Sequence, residues 1–486
     1  MTRGHAIFAG LFLLLGGTAL AQQPPLPGLQ TFTDNCQSCH GNDLRGGRGP
    51  SLFSEAFLST LSDSQIRQIV KTGIANSEMP AFGAQLSDDE ISQVIAYLHL
   101  RGGQLKANPP FVPNPDGQVI KSQKQTFKME VVASGLQTPW GEAFLPDGRM
   151  LVTERTGALR VIDHGKLLPE PVQGTPKVFV RQDGGMLDVA AHKGWIYLSY
   201  TEVEPSVTPA PGSDTAPNIA PPTMTVLVRG HIRDNKWVDA HEIFRAPNSL
   251  YTTTSDHYGS RFLFDGKGHL YFSIGERHNM VNAQSLATPL GKIHRVNEDG
   301  TIPPDNPFVK LPDAVPSIWS LGHRNPEGMA FNPVTGELWE SEHGPAGGDE
   351  INVIDKGHNY GWGLASMGLE PGIFRQTAPN TDPPITSYTP SIAPSGITFY
   401  SGNRYLAWKN SLFVAALAGQ ELLRLETQGR RITAQETLFK EYGRVRDVIE
   451  GPDGLLYVLI QNPTGGGTGL QLSASTAGMV VRLVPQ

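Results

Sequence analysis

The stretch FLFDGKGHLYFSIGER, Phe262 to Arg277, contains a short apolar strand, a turn with two glycines, and a second strand with alternating aromatics. Apolar residues at a period of two put one face of each strand in a core, and the Asp-Gly dipeptide starts the turn between them. The unit recurs along the chain. GEAFLPDGRMLVTER follows Trp140, MLDVAAHKGWIYLSYTE follows Gly185 and MAFNPVTGELWESEHG follows Gly328. ITFYSG and then SLFVAAL follow Gly396, and VIEGPDGLLYVLIQ follows Asp447. Six related hairpins at unequal spacing predict four-stranded blades with insertions, arranged as a six-bladed β-propeller rather than an open β-sandwich. Radial closure also removes exposed sheet edges, so Phe127 to Ala133 are expected to pair with Met479 to Val484. The insert from Pro205 to Pro222 lacks the pattern and reads as a surface loop.

The propeller is expected to occupy residues 127–486. Ahead of it, residues 104–126 are rich in Pro, Asn, Gln and Lys and read as a linker. Further upstream the period changes to that of helices. Ser62 and Gln65 form a capping box before Ile66, Ile69 and Val70, with Gly73 as the stop. Ser87 and Glu90 form another before Ile91, Val94, Ile95 and Leu98, with Gly102 as the expected stop. Residues 26–103 therefore read as a small all-α domain, and the chain as a multidomain protein with a second, all-β unit.

The helical domain carries Cys36-Gln37-Ser38-Cys39-His40, which includes both cysteines of the chain. Two thiols at this spacing can each add to a heme vinyl group, and the adjacent imidazole becomes an axial ligand, so a covalent c-type heme is expected. Met79, before Pro80, is the candidate for the other axial position. A zinc site would need further ligands, and a thioredoxin-like dithiol would sit in a βαβ pattern. Arg3 and His5 precede an apolar run that ends in Ala19-Leu20-Ala21, the pattern of a signal peptide over residues 1–21. No later run approaches the ~18 apolar residues of a membrane span. An exported, periplasmic protein with no membrane span is the expectation, and a net charge of -7 argues against a nucleic-acid partner.

Polar residues recur just before the first strand of several repeats. Gln182 and Asp183 precede Gly185, Asp256 and His257 precede Arg261, Arg324 and Asn325 precede Gly328, and Arg444 and Arg446 precede or flank the strand at Val448. Equivalent positions in a radial repeat lie at one end of the axis, so these residues are expected around a single mouth where several arginines hold a small polyanion. Gly344-Pro345-Ala346-Gly347-Gly348, followed by Asp349 and Glu350, offers carbonyls and carboxylates suited to a hard cation such as Ca2+. A Gly-rich turn with solvated acids is the alternative.

The blocks SLGHRNPEGMAFNP, ESEHGPAGGDEINVIDKGHNYGW, SDHYGSR and GRVRDV resemble the soluble quinoprotein glucose dehydrogenase and aldose sugar dehydrogenase family, six-bladed propellers that carry pyrroloquinoline quinone (PQQ) and calcium. The N-terminal domain resembles class I cytochromes c. The resemblance implies that His257 is the general base for oxidation of a sugar at C1 to its lactone, with Asp256 and either Gln182 or Asp183 contacting the sugar. It implies Arg324 and Asn325 at the quinone, with Arg324 stabilising charge on it, and Arg444 and Arg446 at the PQQ carboxylates. It further implies Gly344 and Pro345 carbonyls at one calcium, and Glu350 and Tyr360 at a second.

The chain departs from the family at Ala418, where a lysine usually reaches the cofactor. Electrons would pass through the fused heme to an external cytochrome, copper protein or oxidase. Two other readings are a PQQ enzyme for a non-sugar alcohol or aldehyde, and a non-catalytic ligand-binding propeller with a heme sensor or docking domain.

Overall fold

The computed structural model describes residues 26–40, 44, 52, 61–74, 79–107, 114–209, 220–345, 347–368, 370, 372, 373, 375–461 and 478–486. The signal-peptide stretch lies outside them. Six antiparallel sheets form the blades of a propeller. The first five each take four consecutive strands, and their innermost strands are Pro139–Phe144, Met186–His192, Phe262–Phe264, Pro326–Phe331 and Pro394–Phe399. Neighbouring blades cover both faces of the inner strands, so Pro139–Phe144, Pro326–Phe331 and Pro394–Phe399 are buried along nearly their whole length rather than alternating, and Met186–His192 is buried over its first half.

The sixth blade closes the ring. Its inner strands Arg444–Glu450 and Leu456–Gln461 are followed by Gly478–Pro485, which pairs along its length with Thr126–Leu136. Phe127 opposes Pro485 and Ala133 opposes Val480, in the segments expected from the sequence. Val119–Lys121 adds a fifth, outermost strand within the stretch read as linker. Phe127, Tyr405 and Trp408 are buried together behind this seam, with the Phe127 and Trp408 rings edge-on at 5.4 Å.

In the helical domain, Leu29–Asn35, Gln37–His40, Asp63–Thr72 and Asp88–Ala107 surround a core of Phe32, Ile66, Val70, Ile91, Val94 and Leu98. Both capping boxes form. Ser62 and Gln65 bond reciprocally, and the Ser87 N–H donates to Glu90 at 2.8 Å. The last helix does not stop at Gly102 but runs on to Ala107, into the stretch read as linker. A glycine inside a helix costs only about 1 kcal/mol relative to alanine, which the preceding three turns of buried contacts outweigh. Among the described residues, no helix is long and apolar enough to cross a membrane.

Candidate functional site

The heme motif lies against the core of the helical domain. Cys36 and His40 are buried, and Met79 packs on the same apolar cluster as Cys36. The Cys39 side chain lies outside the described residues. Gly73 fixes the approach of Met79: its φ is +65°, and a Cβ there would meet the Met79 carbonyl at 2.6 Å. The Ile74 N–H donates to that same carbonyl at 3.0 Å. A thiol for a heme vinyl group, and an imidazole and a thioether for the iron, are groups that a c-type heme uses.

The residues preceding the inner strands of the propeller converge, as the radial repeat demands. His257 is 2% exposed, and its Nδ1 lies 2.6 Å from the buried Glu276 carboxylate. Its backbone N–H donates to Asp183 at 3.3 Å, so Asp183, rather than Gln182, reaches the histidine. His257 has φ +53°, unusual for this residue, and Gly275 makes room for the turn because a Cβ there would meet the His257 carbonyl at 2.2 Å. With a carboxylate accepting from Nδ1–H, Nε2 carries the lone pair and the ring is oriented as a base.

Guanidinium groups from three blades gather beside it. Arg155, Arg324 and Arg446 are buried, and Arg444 is partly buried. Burial, with repulsion from Arg446, pushes Arg444 down to about 10, and Arg155 is likewise pushed down to about 10. The Nε atoms of Arg444 and Arg446 are buried without a hydrogen-bond partner. Their neighbours explain how the cluster persists. Arg446 pairs with Glu327, and although burial would raise that carboxyl, His343 and Arg446 hold it at about 2. Crowded cations with unsatisfied donors fit an anion bearing several carboxylates, such as PQQ.

The floor of this mouth is aromatic. Trp140 lies between two guanidinium groups, Arg446 at 5.1 Å and Arg261 at 4.8 Å. Below it, Arg261 reaches Asp188 at 3.1 Å, Asp447 at 2.6 Å and the Glu327 carbonyl at 2.9 Å, tying four blades at the axis. Arg324 stacks over Trp362 and donates to the His343 carbonyl at 3.2 Å. Asn325 accepts from Gly259 N–H and donates to Glu327, so it braces the loops under His257.

A small cavity next to Arg324 is bordered by Glu342, Gly344, Pro345, Glu350 and Tyr360. Glu340, Glu342 and Glu350 approach one another around Asn352, and burial together with Glu342 raises the Glu340 and Glu350 carboxyls well above the usual range. Glu340 Oε1 and Asn352 Oδ1 are buried without hydrogen-bond partners. Mutually repelling carboxylates with unsatisfied oxygens fit a divalent cation. Two members differ from simple expectation. The Tyr360 hydroxyl donates to Val353 O and accepts from Asp355 N, both at 2.7 Å, which leaves its carbonyl as the available donor. Asp349 accepts from Gly344, Ser391, Ile392 and Ala393, so it anchors the Gly-rich turn.

Sequence reasoning missed Arg155, Glu276 and His343, which follow the second strands Met150–Glu154, His269–Ile274 and Leu338–Glu342 by one or two residues. Glu154-Arg155 and Glu342-His343 occupy equivalent positions, with Glu154 opposite Pro139 and Glu342 opposite Pro326, and Glu276-Arg277 follows two residues past Ile274; this recurrence was a readable signal. In the fifth blade Ala418 stands two residues past Leu412–Ala416, as Glu276 stands past His269–Ile274, and its backbone N–H bonds Ile392 O. The fifth blade therefore contributes no cation there, while the first blade contributes Arg155.

Comparison with known proteins matches residues 136–469 to the Glucose / Sorbosone dehydrogenase family and residues 23–98 to the family of the cbb3-type cytochrome c oxidase subunit III. The chain is 39% identical to an aldose sugar dehydrogenase of Escherichia coli, over 70% of this chain and 91% of that protein. It is 28% identical to quinoprotein glucose dehydrogenase B of Acinetobacter calcoaceticus, over 72% and 88% of the two chains. The PQQ-bound aldose sugar dehydrogenase of Streptomyces coelicolor superposes with a TM-score of 0.57 at 25% identity, covering 76% of this chain and all of that one.

Proposed function

Because the chain belongs to the glucose/sorbosone dehydrogenase family and carries a cytochrome c domain ahead of its propeller, we propose that it oxidises an aldose at C1 to the lactone with PQQ, and that the electrons leave through its own heme. The observation that carries this reading is the meeting of the His257–Glu276 pair with the Arg155, Arg324, Arg444 and Arg446 cluster at one end of the propeller axis.

His257 takes the proton of the C1 hydroxyl at Nε2, while Glu276 holds Nδ1–H and stabilises the positive ring that results. Asp183 and Asp256 flank His257 and orient the sugar hydroxyls. Arg155, Arg444 and Arg446, the last stacked on Trp140, would hold the carboxylates of PQQ. Bound PQQ would supply the two-electron acceptor for the hydride that leaves C1. Arg324 and Asn325 would contact the quinone, with the guanidinium offsetting negative charge on it. Glu350, with the carbonyls of Gly344, Pro345 and Tyr360, would hold Ca2+, a Lewis acid beside that end. Cys36, Cys39, His40 and Met79 would hold heme c, which would supply a one-electron carrier to an external cytochrome, copper protein or oxidase in the periplasm.

The test is to load the full-length heme protein with PQQ and Ca2+, add aldoses and simple alcohols, and follow the heme spectrum. Heme reduction that depends on an aldose and falls about 10²–10⁴-fold in His257→Asn supports the reading. Reduction by alcohols but no aldose would move the substrate class, and no reduction by any substrate with PQQ bound would overturn the proposal.

A further inference from the structure

Beside the base lies a second set of donors. Asp256, His257 and His278 each place a ligand atom within 4.8 Å of those of the other two. Asp256 Oδ2 is 3.3 Å from His278 Nδ1, and the His257 and His278 rings stack at 5.3 Å with 23° between their planes. Asp256 is 3% exposed, yet its Oδ2 has no hydrogen-bond partner, an expensive state for a buried carboxylate oxygen.

We propose that Asp256, His257 and His278 form a binding site for Zn2+ or a similar borderline divalent transition metal. Two imidazoles and one carboxylate select such ions over Ca2+, which prefers oxygen alone, and three protein ligands leave a position open to solvent or an anion. The outer contacts suit metal binding as well. Glu276 holds Nδ1 of His257, so Nε2 is the coordinating nitrogen, the carboxylate–histidine–metal arrangement that raises ligand basicity. The Arg277 Nε donates to the Asp256 carbonyl at 3.0 Å, and its guanidinium also bonds Thr223 and Thr254, which pins the backbone between the two histidines. His257, Arg277 and His278 all have positive φ, near +55°, so the donor geometry is fixed by the fold.

His278 is the ligand nearest solvent, with 39% of its side chain exposed, so a metal ion has an entry path. The site stands on donor geometry alone. On the dehydrogenase reading it has a further consequence: zinc occupies the lone pair that accepts the substrate proton, so zinc and sugar exclude one another.

The experiment is equilibrium dialysis of the full-length protein against Zn2+ with Ca2+ in large excess, so that the carboxylate pocket near Glu350 is filled. One zinc per chain is expected, with affinity falling about tenfold or more in His278→Gln and in Asp256→Asn. Unchanged binding in both variants overturns the site. So does loss of binding in His358→Ala alone, since His358 belongs to a separate surface group with Asp355 and Asp382. Inhibition of heme reduction, competitive with sugar and relieved in His278→Gln, tests the consequence. If no aldose reduces the heme, the dehydrogenase reading fails while dialysis still decides the zinc site.

Discussion

Glu276 shows how one carboxylate sets what His257 can do. In Glu276→Gln the amide end turned toward Nδ1 donates instead of accepting, and the ring is held in the tautomer that cannot take a proton at Nε2. A fall of about 10²-fold or more in kcat with KM nearly unchanged is expected, measured by steady-state heme reduction. Arg155 makes a different kind of contribution. Burial and its nearness to Arg446 push its pKa down, while Asp183 and Glu327 favour its charge. On the dehydrogenase reading, Arg155→Met is expected to weaken PQQ by about 1.5–3 kcal/mol, read by PQQ titration. His257 was legible because it stands in SDHYGSR; Glu276 and Arg155 were not, because only their place just past the second strands marks them.

Single elements hold these side chains in place. The loop carrying Glu276 and His278 runs into the short helix Met280–Gln284, and the buried Lys292 ammonium donates to the carbonyls of Asn282, Ala283 and Leu290 at 2.7, 3.0 and 2.6 Å. Lys292→Met leaves three buried carbonyls without that donor, at about 1–3 kcal/mol for each left unsatisfied. A lower urea midpoint, with activity lost at a lower temperature than global unfolding, is the expected outcome. The helix caps at Ser62 and Ser87 were readable because each uses two residues at a fixed spacing. The end of the last helix was not, because Gly102 is buried and tertiary contacts override its local preference. Similarly, Val119–Lys121 has too few residues to show a period, and it becomes a strand only because Thr126–Leu136 offers a free edge beside it.

For the whole molecule, the axis is where the blades are charged against one another. Glu327 normally titrates at 4.5 but is held at about 2 by His343 and Arg446 despite burial. Between those values the unfolded chain binds a proton that the folded chain does not, so stability is present above about 4.5 and lost as the pH falls toward 2. The shift corresponds to about 3 kcal/mol. Urea midpoints between pH 2.5 and 5 should fall steeply in the wild type and less steeply in Glu327→Gln. The six-fold repeat made the propeller legible from hairpins alone, and with it the shared mouth of His257, Arg324 and Arg446. The axial network around Arg261 was not visible, since Asp188, Glu327 and Asp447 acquire partners only when strands distant in the chain meet.

The seam between Thr126–Leu136 and Gly478–Pro485 also bears on how the protein comes into being. Thr126–Leu136, made before the strands of the first five blades, finds its inner partner only when Gly478–Pro485 has been made. Until then both sides of the growing ring present unpaired edges, and a chain interrupted anywhere before Gly478 keeps them. The seam therefore makes the arrival of Gly478–Pro485 the event that commits the propeller to its closed form.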